Sequence, residues 1–128
     1  MGDQPLEQKS FDQPDEVREG ENWRSELVNL AGDVQIARIT VQPGWKWSTD
    51  VGPVAGTDLC MAPHQAYIIS GRIHAVMEDG TEFDQGPGDV SSIPPGHDAW
   101  VIGDEPCIQV DWQGASIWAR PVGDSHDA

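Results

Sequence analysis

Three side chains that can bind a metal ion or move a proton lie within seven positions near the middle of the chain. Asp58, Cys60 and His64 supply a carboxylate, a thiol and an imidazole. All three groups are ordinary protein ligands of divalent metals. Asp58 and Cys60 are two residues apart, so on a β-strand they would share one face, and His64 keeps the same parity. The spacing predicts a candidate metal site in this segment.

A second histidine, His97, follows the turn-forming residues Pro94-Pro-Gly96 and opens a predicted strand. It could add a metal ligand, act as a general acid or base near the entrance of a site, or only fix the turn together with Asp98. The metal hypothesis therefore includes four residues, with His97 contributing from a different part of the chain. They are Cys60, His64, His97 and Asp58.

The same residues also have structural interpretations that involve no ligand. Cys60 could be a plain buried thiol, since free cysteine is among the most buried residue types. His64 could hydrogen-bond a backbone group beside Pro63, and Asp58 could cap a turn. We expect His74 to have a surface or packing role and Cys107 to belong to the core.

The aromatic residues suggest a pocket or a core. Six tryptophans are many for 128 residues. Trp45 and Trp47 alternate with polar residues, which predicts a strand over Trp45–Thr49 with both indoles on one side. They either pack in the core or a dimer interface, or line a pocket for a flat or apolar ligand. Asp50, just beyond them, is a weaker candidate for the rim of that pocket.

The elements that must position these residues are short strands separated by glycine- and proline-rich turns. Val34–Val41 is rich in β-branched residues, and the Asp79-Gly80 pair predicts a hairpin after Arg72–Met77. We find no sustained helical period beyond one turn near 14–18. The pattern predicts an all-β sandwich or barrel. Other predicted strands are Glu26–Ala31, Thr81–Asp84, Asp89–Ile93, His97–Ile102 and Cys107–Trp112, with a last one around Ile117-Trp118.

The chain length of 128 residues predicts a single domain. We divide it into an acidic, irregular N-terminal lead-in at 1–24, a barrel at 25–120 and a flexible tail at 121–128. The N-terminus shows no secretory signal, and no apolar run is long enough to span a bilayer.

The charge and the cysteines restrict the partners. The formal net charge of −15 disfavours nucleic acid and anionic membrane surfaces. Cys60 and Cys107 are far apart and form no disulfide framework, which favours reduced thiols in the cytoplasm. We therefore expect a small-molecule ligand and no nucleic-acid or membrane partner.

Two motifs make the sequence resemble the cupins, small barrels of the jelly-roll type. Their first motif has two histidines, then a glutamate, then Tyr-Val-Leu-x-Gly, which Tyr67-Ile-Ile-Ser-Gly71 matches. Counting back, His64 fills the glutamate position, and Cys60 and Asp58 fill the two histidine positions. In the second motif, Gly88–Gly96 fits closely, whereas Ala99 holds the position of the closing histidine.

The resemblance implies a jelly-roll β-barrel similar to small single-domain bacterial cupins of the conserved-barrel type. It also implies a divalent metal in the barrel, an oxygenase or isomerase type of reaction, and pairing as a homodimer. A thiolate ligand favours Zn or Fe, with Mn and Ni as further options. Two alternatives remain open: a metal-free module that binds or senses a small molecule, and an interaction barrel filled by its own side chains.

Overall fold

The structure is a computed structural model that describes residues 5–113. These residues form nine strands and two four-residue helices. The strands are β1 (Glu16–Gly20), β2 (Trp23–Leu30), β3 (Val34–Val41), β4 (His64–Ser70), β5 (Arg72–Met77), β6 (Glu82–Gln85), β7 (Val90–Ile93), β8 (His97–Ile102) and β9 (Cys107–Gln113). The helices are α1 (Trp47–Asp50) and α2 (Gly52–Ala55).

The strands form two antiparallel sheets that pack face to face. One sheet has six strands in the order β1-β2-β3-β9-β4-β7, and the other has three in the order β6-β5-β8. β3 and β4 are consecutive in the chain but separated in the sheet by β9, and the chain crosses between the two sheets from β4 to β5, from β6 to β7, from β7 to β8 and from β8 to β9. This topology confirms the predicted all-β jelly-roll barrel. None of the helices in residues 5–113 is long and apolar enough to cross a membrane.

The core lies between the two sheets, on the inward face of each strand. β3 shows why, because its alternate residues Ala37, Ile39 and Val41 are at most 2% exposed. Ile68 of β4 and Ile73 of β5 meet them from neighbouring positions in the same core. The period-two pattern of the sequence therefore predicts correctly which face of these strands is buried.

The turns that the sequence predicts are present. The hairpin between β5 and β6 turns at Gly80, which has a φ of 93°, and the Asp79 carboxylate accepts a hydrogen bond from the Thr81 amide. Gly71 ends β4 with a φ of 79°. A Cβ atom at this position would overlap the carbonyl group of Pro106, so the tight approach of these two segments requires glycine.

The N-terminal residues contribute more structure than the sequence indicates. We expected no strand before residue 25, but β1 pairs along β2 from Glu16 to Gly20. The amides of Asn29 and Ala31 donate to the carboxylates of Asp15 and Glu7, which hold the preceding residues against the sheet. Acidic side chains of this segment thus accept hydrogen bonds from backbone amides at the end of β2.

The segment after Trp45 is the clearest local error of the sequence analysis. The predicted strand Trp45–Thr49 is wrong, because Trp47–Asp50 forms the helix α1. The Asp98 carboxylate accepts hydrogen bonds from the amide and the hydroxyl of Ser48 at 3.0 and 2.8 Å. These contacts from the distant strand β8 stabilise helix α1, although the local sequence alternates like a strand. The predicted strand around Ile117-Trp118 lies outside the described residues.

Candidate functional site: a thiol and two imidazoles in the barrel

Cys60, His64 and His97 converge at one end of the barrel. His64 opens β4 in the six-stranded sheet, and His97 opens β8 in the three-stranded sheet. Cys60 lies in the preceding loop, where its amide donates to the His97 carbonyl at 2.7 Å. The three residues are only 2%, 5% and 3% exposed, respectively. Two sheets and a loop thus bring three polar side chains together in a mainly apolar interior.

The distances between these side chains suit a shared metal ion. One ligand atom from each residue lies within 4.8 Å of the others. Cys60 Sγ lies 3.6 Å from His64 Nε2, and the two imidazole rings are 5.1 Å apart between centroids. Tetrahedral zinc with ordinary bond lengths would separate a sulfur and a nitrogen ligand by about 3.6 Å. The arrangement fits an ion without a large rearrangement.

Hydrogen bonds at the far side of each ring orient both imidazoles. Nδ1 of His97 donates to the Pro94 carbonyl at 2.9 Å, and because a carbonyl only accepts, the proton of the neutral ring is on Nδ1. Nδ1 of His64 is bonded to the Asp111 carboxylate. Both rings therefore keep Nε2 for another partner. Metal-binding histidines are commonly fixed in this way by a carboxylate or a backbone carbonyl.

Asp111 is the site residue that the sequence analysis missed. It lies on β9, opposite Ala66 of β4, and its side chain is completely buried. Its Oδ2 atom bonds His64, whereas Oδ1 has no hydrogen-bond partner among the described residues. A signal was present in the sequence, because strand parity places Asp111 on the same face as the buried Cys107. An acid on the inward face of a central strand indicates a buried partner.

The environment shifts the pKa of both members of the Cys60–His64 pair. Burial tends to raise the pKa of Cys60, but its hydrogen bonds with His64 and His97 outweigh this effect and lower the pKa from 9.0 to about 7. Burial tends to lower the pKa of His64, but the bonds to Asp111 and Cys60 outweigh it and raise the pKa to about 10. Without a metal, the pair favours a thiolate beside an imidazolium.

A small cavity adjoins the two histidines. Its volume is about 30 Å³, enough for about two waters. Trp45 and Trp47 line this cavity and are also buried in the core. The two indoles therefore have both of the roles that the sequence left open. The remaining lining residues are Ile39, Val41, His64, Ile73, Ala75, Gln85, Ile93, His97, Ala99 and Gln109.

Comparison with known proteins supports the fold of this barrel. No family model matches the chain, and no curated protein matches its sequence. A sugar phosphate isomerase from a cupin superfamily, from Silicibacter pomeroyi, aligns with a TM-score of 0.57 at 20% identity, over 82% of this chain and 73% of that chain. The chain has a cupin fold.

Two further cupin-like structures show how varied the proteins of this shape are. Oxalate decarboxylase from Bacillus subtilis, described with Mn(II) centres, aligns with a TM-score of 0.58 at 23% identity, over 81% of this chain. The chain spans only 28% of the length of that enzyme. A polyketide cyclase from Streptomyces resistomycificus aligns with a TM-score of 0.61 at 16% identity, over 96% of this chain and 89% of that chain. At these identities the likeness establishes the fold alone.

The cupin motifs explain where the candidate ligands lie. Ala99, at the position of the closing histidine, is 9% exposed and lines the cavity. His97 lies two residues earlier on the same face of β8 and still reaches His64 and Cys60. The cluster is therefore displaced along the strand towards the Pro94-Pro-Gly96 turn.

Two of the candidate residues lie outside this cluster. Asp58 is exposed and borders a separate surface groove with Thr57, so the structure does not place it beside Cys60. The Asp50 carboxylate accepts a hydrogen bond from the Lys46 amide at 3.1 Å and does not line the cavity. Asp50 therefore stabilises the start of helix α1, and Asp58 does not belong to the cluster of Cys60, His64 and His97.

His74 and Cys107 have the structural roles predicted from the sequence. The His74 ring lies on the outer face of β5, where its nitrogens bond Asp84 and Glu82. Cys107 is completely buried in the apolar core and forms no disulfide, so both cysteines of the chain are free thiols.

Proposed function

We propose that this chain binds one divalent metal ion through Cys60, His64 and His97 and uses it on a small molecule in the barrel. The observation that carries the proposal is the orientation of the ligands. Two buried imidazoles and a buried thiol point their donor atoms within 4.8 Å of one another, and both rings are held from behind by a hydrogen bond. Such bonds fix ring orientation and tautomer, which favours metal binding.

The ligand set favours zinc or iron. Thiolate and imidazole are preferred by these metals over Mn, and Ni remains a further option. The Cys60 thiolate and the Asp111 carboxylate would together balance the two positive charges of the ion, which reduces the cost of burying it. Three protein ligands leave a position open for substrate or water, so a bound ion would supply Lewis-acid or oxygen-activating chemistry. We propose an oxygenase or isomerase type of reaction on this basis.

The protein's own residues prepare the site for such chemistry. Asp111 holds the His64 ring and takes part of the charge of the site, while Pro94 fixes His97. Trp45 and Trp47 form apolar walls of the cavity, which strengthens electrostatic interactions beside them. His64 must release a proton when it binds an ion, and so must Cys60 below its pKa of about 7, so metal affinity is expected to rise with pH.

Metal analysis of the protein purified without a histidine tag tests the proposal. We expect about one Zn or Fe per chain, lost in His64→Ala and retained in His74→Ala. His74 is a matched control because its ring also bonds a carboxylate but lies on the outer face. The proposal fails if the wild type holds no stoichiometric metal after reloading, or if His64→Ala keeps it.

A metal-free module that binds or senses a small molecule is the second candidate. It is favoured by the hydrogen bonds of the site, because Asp111 Oδ2 and Cys60 Sγ already occupy both ring nitrogens of His64 without an ion. A wild type without metal whose melting temperature rises with a ligand would support it. A wild type that binds no metal and whose melting temperature does not rise with any ligand would favour the third alternative, an interaction barrel filled by its own side chains.

We further propose that the chain forms a homodimer in the cytoplasm. The outer faces of β4, β7 and β9 carry no charged residue in their described part, although the chain has a net charge of −15. The exposed large apolar residues there are Tyr67, Ile69, Val90 and Trp112. Such a face lets two acidic chains meet without direct repulsion. Val90→Asp is expected to convert a dimer to a monomer in sedimentation equilibrium, and a monomeric wild type would contradict the proposal.

A further inference from the structure

We propose that the groove between strands β6 and β7 binds the body of the ligand, and that this ligand is an uncharged or cationic molecule with a flat apolar part. The inference rests on the proposed function only because the groove leads to the same cavity. The lining residues that matter for the ligand are Ala75, Met77, Asp79, Glu82, Phe83 and Ile93.

The position of the groove connects it with the site. β6 is the edge of the three-stranded sheet and β7 the edge of the six-stranded sheet, so the groove opens where the two sheets part. Ala75 and Ile93 line both the groove and the cavity. Met77 is the strand partner of His97, and Ile93 is the partner of His64. A molecule in the groove would therefore end beside the two histidines.

Phe83 is the strongest single indication of a ligand. It lies two residues before the buried Gln85, so both side chains belong to the inward face of β6. Gln85 is 4% exposed, whereas the Phe83 ring is 43% exposed. An aromatic side chain that is left partly exposed on an inward face is typical of a ligand-binding cleft.

The sizes of the two spaces divide the ligand into a body and an end. The groove has a volume of about 330 Å³, at the low end of the range for small-molecule sites. The cavity holds only about 30 Å³. The body therefore fits the groove, and only a group the size of one or two waters reaches the histidines.

The charges at the groove select against anions. Asp79 and Glu82 line its rim, and its described lining includes no lysine or arginine. The Glu82 carboxylate is partly balanced by His74 on the outer face, whereas Asp79 has no cationic partner among the described hydrogen bonds. Together with a net charge of −15, these carboxylates repel a negatively charged ligand. The apolar floor formed by Met77, Phe83 and Ile93 instead suits an aromatic ring.

Three probes with one ring and different charges test this inference: benzyl alcohol, benzylamine and benzoate. They are titrated into the full chain after metal removal by a chelator, with chemical shifts of the backbone amides as the readout. Metal removal matters because a carboxylate could otherwise bind the ion itself. We expect the two non-anionic probes to shift the amides of Met77, Phe83 and Ile93, and benzoate to bind at least about fivefold more weakly.

Two variants connect this binding to the ring of Phe83. Phe83→Ala is expected to weaken benzyl alcohol about threefold to tenfold, and Phe83→Leu to recover part of the loss. Val34→Ala is the control, because Val34 is 42% exposed but lies on the outer face of β3. It should leave binding unchanged.

Several outcomes would overturn the inference. They are benzoate binding as tightly as the other probes, shifts confined to residues away from the groove, and Phe83→Ala binding like the wild type. These results are independent of metal content. A wild type that takes up no metal on reloading but still binds benzyl alcohol in the groove would reject the proposed metal function and keep this inference. A wild type that takes up metal but binds no probe in the groove would do the reverse.

Discussion

The two ends of β9 lie beside two buried thiols with different properties. Cys107 is at one end, and Asp111 at the other end is linked through His64 to Cys60. Cys107 at one end is completely buried, and burial alone raises its pKa from 9.0 to about 11. Asp111, four residues further along the same face, reaches His64 and through it Cys60, whose pKa falls to about 7. The two cysteines are equally buried, within 2% of exposed surface. Hydrogen-bonding partners, and not depth, separate an inert thiol from a candidate ligand.

This contrast also indicates how the barrel divides its work. At the Cys107 end the neighbours of the thiol are apolar, with Val41 as strand partner and Trp23 next in the sheet. At the Asp111 end four polar side chains meet beside a cavity and a groove. They are Cys60, His64, His97 and Asp111. The apolar end supplies the free energy of folding, which permits the cost of burying polar groups at the other end.

The largest expected effect separates the two thiols by metal affinity. Cys60→Ala removes the thiolate ligand, so we expect the affinity for Zn to fall by at least about 100-fold, since even changes behind the ligands cost 10–100-fold. Cys107→Ala should leave the affinity within about twofold, because that thiol lies among apolar residues. Competition with a chromophoric chelator measures both. Equal losses in the two variants would remove the distinction between the two ends.

A smaller effect is expected from Asp111, which acts on the metal only through His64. Asp111→Asn keeps the size of the side chain but loses its charge, so the His64 ring is less firmly oriented and the ion less well balanced. We expect metal affinity to fall about 10–100-fold, with the thiolate-to-metal absorption of the Co(II)-loaded protein retained. Asp84→Asn, beside His74 on the outer face, is the matched control. An Asp111→Asn protein with wild-type affinity would show that this carboxylate has no part in the site.

The sequence predicts part of the fold and of the site, because a strand pattern carries only local information. The jelly-roll barrel and the inward position of His97 follow from the resemblance to cupins. Alternation along the chain gives the buried face of each strand and favours a shared face for Cys60 and His64. It does not say which strands are neighbours, and Asp111 bonds a histidine 47 residues earlier in the chain. Local pattern also fails where a distant group intervenes, as when Asp98 binds Ser48 and stabilises α1 in a segment that alternates like a strand.

The smallest expected effect is a difference in how pH changes stability in the metal-free protein. The folded-state pKa of Cys60, about 7, lies below the ordinary value of 9.0, so its thiolate contributes stability that is fully present above pH 9 and lost as pH falls through 7. The stability lost in Cys60→Ala should therefore grow from pH 6 to pH 8, by at most about 1 kcal/mol. Cys107, with a pKa of about 11, stays a thiol in this window, so the loss in Cys107→Ala should be independent of pH. Urea unfolding at both pH values measures the two losses, and a Cys60→Ala loss that stays flat or shrinks with pH would show that the buried pair does not hold a thiolate.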